Sequence, residues 1–206
     1  MTAYHVFAPA EGHRLAHDPL NSIVAPRPIG WIATHRAAGG FNLAPYSFFN
    51  LFNYRPPILG FASIGWKDSV RNIAETGEFT WNLATVPLAE QMNASAAIVP
   101  PDVDEFALAG LTPAPSLAVK SPRVAESPVC FECKLTQMIR LTAADGSETD
   151  TWLTLGEAVM IHIDERLIEN GVYDTVKGEP ILRGGGAADY FTISEAARFL
   201  MHRPGA

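Results

Sequence analysis

Apolar and polar positions along the chain fall mostly into short blocks of period two. Ile29–Thr34 is a strongly apolar run that follows Pro26-Arg27-Pro28 and precedes the turn signal Gly39-Gly40, which predicts a strand and a hairpin arm. Tyr46–Asn53 and Ile58–Trp66, rich in aromatic and β-branched residues, predict two more strands, separated by Arg55-Pro56-Pro57. Val70, Ile73 and Ala74 then recur at helical spacing. Asp68 stands where a carboxylate could turn back to cap that helix, and Gly77 where a left-handed terminus is wanted. Phe79–Leu83 returns to alternation, as a half-buried strand does.

The segment 87–128 holds seven of the 16 prolines and one predicted helix, Leu88–Ile98, so it reads as an excursion from the sheet. Two longer β-rich runs, Val129–Leu141 and Thr151–Ile163, flank the hairpin signal Ala144-Asp145-Gly146-Ser147, and Ser194–Met201 is weakly helical. Antiparallel strands with one long excursion predict a mainly β chain, a closed or nearly closed barrel with accessory helices, in one domain over 1–206.

Composition narrows the partners. Only 18% of residues are charged, against about 25% in ordinary soluble domains, which hints at surface buried in a partner. The net charge of −7 opposes nucleic acid and anionic membranes. The longest apolar stretch, Ile58–Trp66, is too short for a membrane span, and the N-terminus lacks the pattern of a secretory signal, so a cytoplasmic protein is expected. Cys130 and Cys133 lie three apart in a predicted strand, on opposite faces, which argues against a metal or redox pair.

Protein-borne catalysis finds little support. No Gly-x-Ser-x-Gly elbow is present, His13 and His17 have no metal-binding pattern around them, and no catalytic residue or metal ligand is assigned. Gly184-Gly185-Gly186 lacks the lysine and the third fingerprint glycine of phosphate loops and reads as a turn. What remains is a polar set within the N-terminal strands: Thr34, Ser47, Asn50, Ser63, Lys67 and Ser69, with Arg27 and Trp31 close by. Buried hydroxyls in otherwise apolar strands need partners, either backbone or a shared ligand. Ser63, Lys67 and Ser69 bracket a strand-to-helix turn, where free N–H groups, the positive end of a helix dipole and a lysine suit a phosphate.

These residues also carry a resemblance. Pro26–Thr34, Asn42–Asn50, Pro56-Pro57 and Lys67–Phe79, in that order, with Gly156–Ile163 and Asp189-Tyr190 later, resemble the flavin reductase-like family of FMN-binding split barrels over most of the chain. Two departures are Ser69, where relatives often carry threonine, and a longer-looking segment at 183–188. The resemblance implies a homodimer with FMN in a groove at the subunit interface. It further implies an NAD(P)H-dependent flavin reductase, fed by NADH or NADPH, that supplies reduced flavin or electrons to a flavin-dependent oxygenase or another acceptor. The alternative is a non-enzymatic, flavoredoxin-like electron carrier. On this reading the cofactor-binding residues are Trp31, Thr34, Ser47, Asn50, Ser63, Lys67, Ser69 and His162. For His162, expected on one face with Ala158 and Met160, packing in the core or an interface is the competing role.

Overall fold

The computed structural model describes residues 2–205. A short helix α1 (Leu20–Ile23) leads into β1 (Arg27–Pro28), β2 (Gly30–His35), β3 (Phe41–Tyr46), β4 (Phe49–Tyr54) and β5 (Pro57–Ile64). Helix α2 (Asp68–Thr76) and β6 (Glu78–Asn82) follow. The excursion carries α3 (Ala89–Ala94), α4 (Glu105–Ala109), β7 (Pro113–Ala114) and β8 (Arg123–Val124). The long hairpin β9 (Val129–Thr142) and β10 (Glu148–Ile163) precedes β11 (Ile168–Glu169), β12 (Val172–Tyr173), β13 (Ile181–Arg183) and β14 (Tyr190–Thr192).

Seven strands form one antiparallel sheet in the order β3-β2-β6-β9-β10-β5-β4. Its edges, β3 and β4, are consecutive in the chain, yet no ladder joins them. The sheet curls until Tyr46 of β3 packs against Phe61 of β5, ring centroids 4.5 Å apart, which leaves a barrel split along one seam. Mainly β architecture is thus as expected.

Two apolar clusters sit on opposite faces of β2 and β3, because period-two alternation sends neighbours opposite ways. Ile32, Tyr46, Phe61, Phe79 and Cys133 fill the barrel, closed by Val70 and Ile73 of α2. Trp31, Ala33 and Leu43 face outward, under Leu88, Met92, Phe106 and Val124 of the excursion. The excursion is therefore packed against the sheet and supplies nearly half of the outer cluster.

Local expectations needed correction in four places. The strand expected over Tyr46–Asn53 is broken at Ser47-Phe48, where the chain leaves β3 and enters β4. The helix expected over Leu88–Ile98 spans only Ala89–Ala94; the Ser95 hydroxyl donates to the Met92 carbonyl at 2.8 Å and Pro100-Pro101 follows. Ser194–Met201 holds one 3-10 turn, Glu195–Ala197. Asp68 is the first residue of α2 and not its cap, too late to reach back to the next N–H groups, and it pairs with Arg71 one turn on. Gly77 terminates α2 in the left-handed conformation, as expected.

Candidate functional site

The structure gathers Ser63, Lys67 and Ser69 at the end of the barrel split, with Ser47 in the neighbouring turn between β3 and β4. The Ala62 N–H donates to the Phe48 carbonyl at 2.8 Å, which ties the turn between β3 and β4 to β5 one residue before Ser63. The Ser63 hydroxyl donates to the Gly65 carbonyl at 2.9 Å, shaping the turn into α2. The Gly65 N–H donates to the Asp150 carbonyl at 2.7 Å, fixing that turn on β10.

Ser63 and Ser69 are buried and lie beside the Tyr46 phenol, whose pKa burial pushes up while the two hydroxyls pull it down. Ser69 Oγ accepts from Asn42 Nδ2 at 2.9 Å. Asn42 and Tyr46 were not singled out by sequence reasoning. Their parity is the missed signal, since positions 42, 44 and 46 of β3 point toward α2 and the strand's apolar partner Leu43 points away.

Asn42, Tyr46, Lys67, Ser69, Ser95 and Glu105 are among the walls of a cleft of about 310 Å³ between the start of α2 and the excursion. Lys67 is exposed and makes no ion pair or side-chain hydrogen bond among the described residues. No side chain caps α2, so its first N–H groups keep their donor capacity and the positive end of its dipole faces the cleft beside Lys67. Of the two acidic residues here, Asp68 is neutralised by Arg71. Glu105 is buried; burial pushes its carboxyl pKa up, partly offset by its own and the Leu43 N–H groups, the latter donating at 3.2 Å. The corner therefore offers unspent donors and one unpaired cation, a donor set suited to a phosphate.

The other four predicted residues lie elsewhere. Thr34 is fully buried behind α2 and accepts from Asn72 Nδ2 at 3.0 Å. Asn50 is exposed on the edge strand β4, its amide oxygen accepting the Leu51 N–H at 2.9 Å. Trp31 has no exposed surface and points to the outer cluster, where its indole N–H donates to Ser95 Oγ at 3.0 Å. Trp31 and Thr34, close in sequence, alternate to opposite faces of β2, so the structure does not bring them together.

His162 sits at the far end of β10 from Lys67. A bulge between Ala158 and Met160 reverses the facing, so Ala158 enters the barrel and His162 turns outward, contrary to the shared face expected. There His162 Nε2 lies 2.6 Å from Oε1 of Glu132. Glu132 is fully buried and also accepts the N–H groups of Leu117, Ala118 and Val119 at 2.8, 2.6 and 3.2 Å. Burial raises the Glu132 pKa, but the Leu117 N–H, His162 and the Ala118 N–H outweigh it and hold the carboxyl below its usual range. An acidic residue within Val129-Cys130-Phe131-Glu132-Cys133 was the overlooked signal. The two cysteines are buried and free, and burial pushes the Cys130 pKa up to about 12.

A larger cleft, about 480 Å³, lies between β12 and the C-terminal turn and contains none of these residues. Among the described residues no cluster of His, Cys, Asp or Glu could hold a metal, and no helix is long and apolar enough to cross a membrane.

Residues 23–179 match the flavin reductase like domain. The chain belongs to the flavin reductase-like family. A protein of Aquifex aeolicus without assigned function is 38% identical over 80% of this chain and 83% of its own. Nitrilotriacetate monooxygenase component B from Bacillus cereus superposes with a TM-score of 0.87 at 30% identity, covering 98% of this chain and all of the other. The 2-nitrobenzoate 2-nitroreductase of Pseudomonas fluorescens gives 0.78 at 28% identity, with 90% and 89% covered. A flavin reductase-like split barrel is thus the fold.

Proposed function

We propose that this protein is an FMN-binding oxidoreductase, an NAD(P)H-dependent flavin reductase. The observation that carries the reading is the corner at the barrel split, where Lys67 and the uncapped N-terminus of α2 have no side-chain partner among the described residues. Lys67, Ser69 and the first N–H groups of α2 would hold the FMN phosphate, with Ser63 and Tyr46 behind them fixing the shape of the turn. Ser47, in the turn between β3 and β4, and Asn50, on the edge strand β4, would meet the more distal parts of the cofactor. When bound, FMN supplies the redox chemistry: it accepts a hydride from a reduced nicotinamide nucleotide, which leaves oxidised. The chain's residues bind, orient and shield, which accords with the absence of a nucleophile motif.

A homodimer belongs to the same proposal. The edge strand β4 exposes Leu51, Phe52 and Tyr54, and Ile64 and Trp66 lie exposed where β5 turns into α2, so apolar surface flanks the split. A second copy covering it would bury on the order of 2,000 Å² or more and add a wall to the cofactor groove. Light scattering at micromolar concentration tests this, a monomer being the adverse result. Reduced flavin delivered to an oxygenase is the role supported by likeness to a monooxygenase component.

The decisive experiment is the absorption spectrum of the FMN-loaded protein before and after anaerobic NADH or NADPH. Bleaching of a bound-flavin band, with steady donor oxidation in air, is expected. A stable flavin band unaffected by either donor would make the protein a carrier; no bound flavin would refute the reading.

A further inference from the structure

The glycine run Gly184-Gly185-Gly186, which fits no phosphate loop, has a definite place in the fold. Strands β1 and β13 set Arg27 directly opposite Arg183. Like charges so placed repel, and neither pairs with a carboxylate among the described residues. Both are spent on main-chain carbonyls instead. Arg183 donates to Gly185 and Asp189 at 2.9 and 2.8 Å and to Gly186 and Ala187 at 3.2 and 3.3 Å, which winds the glycine loop around its guanidinium.

Arg27 joins three separate segments. It donates to Asn21 at 2.6 Å and to Val24, both flanking or within α1, to Ser47 at 3.2 Å and to Gly184 at 3.2 Å. Its guanidinium carbon also stands 5.6 Å from the centre of the Phe48 ring. The glycine loop and α1 meet closely: the Gly186 N–H donates to Ser22 Oγ at 3.2 Å. A Cβ added at Gly185 would fall 1.8 Å from Ser22 Oγ and 2.4 Å from its Cα, so no other residue at 185 permits this contact. Through Arg27, the glycine loop and α1 converge on Ser47-Phe48, the rim of the split.

We infer that Arg27 is a positioning residue for hydride transfer. It locks α1 and the glycine loop into one rim against Ser47-Phe48, and that rim sets how the reduced nicotinamide nucleotide meets the flavin. The inference rests on the proposed reductase reading. The surroundings favour positioning over anion capture, because nearly every donor of both arginines is already spent on a carbonyl.

The test uses FMN-loaded protein and follows anaerobic flavin reduction in a stopped-flow instrument over a range of NADH and NADPH concentrations, with FMN affinity measured separately by fluorescence. Gly185→Ala pushes α1 off the loop. It should leave FMN affinity unchanged while the limiting reduction rate, or the donor concentration giving half of it, worsens about tenfold or more, as small misplacements of reactants do. Arg27→Gln should shift the same donor dependence, and Arg27→Lys should not restore it, since a compact ammonium lacks the spread, planar fork that reaches carbonyls on three sides. A Gly185→Ala protein that is folded, binds FMN and keeps the parental donor dependence overturns the inference, as does one that loses FMN affinity alone. If the parent itself binds no FMN or is not reduced by either donor, the reductase reading has failed, and the inference falls with it.

Discussion

The two ends of β10 treat polar side chains in opposite ways. Near Thr151, which pairs with Ile64, the chain turns into α2 and leaves Lys67 and a helix terminus without a side-chain partner among the described residues. Eleven residues on, roughly 35 Å along the strand, Glu132 and His162 spend their polar atoms within the chain. Both regions looked alike as sequence, polar residues embedded in apolar strands. The difference teaches that a buried or half-buried polar group marks a ligand only when the fold leaves its hydrogen-bonding capacity unspent.

The comparison can be broken most strongly at Glu132. Replacing it by Ala strands three backbone donors at the excursion, each unsatisfied group costing about 1–3 kcal/mol, so denaturant unfolding should show at least about 3 kcal/mol of lost stability. Bound FMN in whatever fraction folds should be held as tightly as before. Weakened FMN binding by folded Glu132→Ala protein would erase the distinction between the two ends.

Lys67→Ala is the converse. Loss of a hydrogen bond to a charged group costs about 1.5–3 kcal/mol, or about ten- to more than a hundredfold in FMN affinity, with the melting temperature of the cofactor-free protein unchanged. Equal affinity in mutant and parent removes Lys67 from the site.

A smaller effect is expected at His162. His162→Asn should cost about 1 kcal/mol in unfolding measurements and leave FMN affinity and reduction alone; altered flavin binding would bring the histidine back into the site. The pH dependence sharpens the same point. Because the Glu132 carboxyl is held below its ordinary value of 4.5 in the fold, its contribution is complete above that pH and lost as pH falls through the depressed value. Stability profiles of parent and Glu132→Gln should therefore converge on acidification below about 4.5, and parallel curves there would contradict the stabilising role given to the ionised Glu132.

Much of this architecture could be read from the chain alone. Alternation at Phe79–Leu83, the proline break before β5, the helical spacing from Val70 and the turn at Gly146 each depend on neighbours within a few residues, and each stands close to where it was expected. The corner formed by Ser63, Lys67 and Ser69 was equally legible, being one strand-to-helix turn. Partners distant in sequence were not. Asn42 meets Ser69 across 27 residues, Trp31 meets Ser95 across 64, and Arg27 meets Gly184 across 157.

Sequence by itself determined the kind of element at most positions, the family and the strand-to-helix turn at Lys67, because periodicity, turn chemistry and helix termini are local physics. Tertiary structure alone decided which polar groups remained free. A single bulge in β10 turned His162 away from the barrel and onto Glu132, and parity on β2 sent Trp31 and Thr34 to different clusters. The glycine run gained its meaning only when α1 came to lie against it, since a close approach is a property of two segments and neither one encodes it alone.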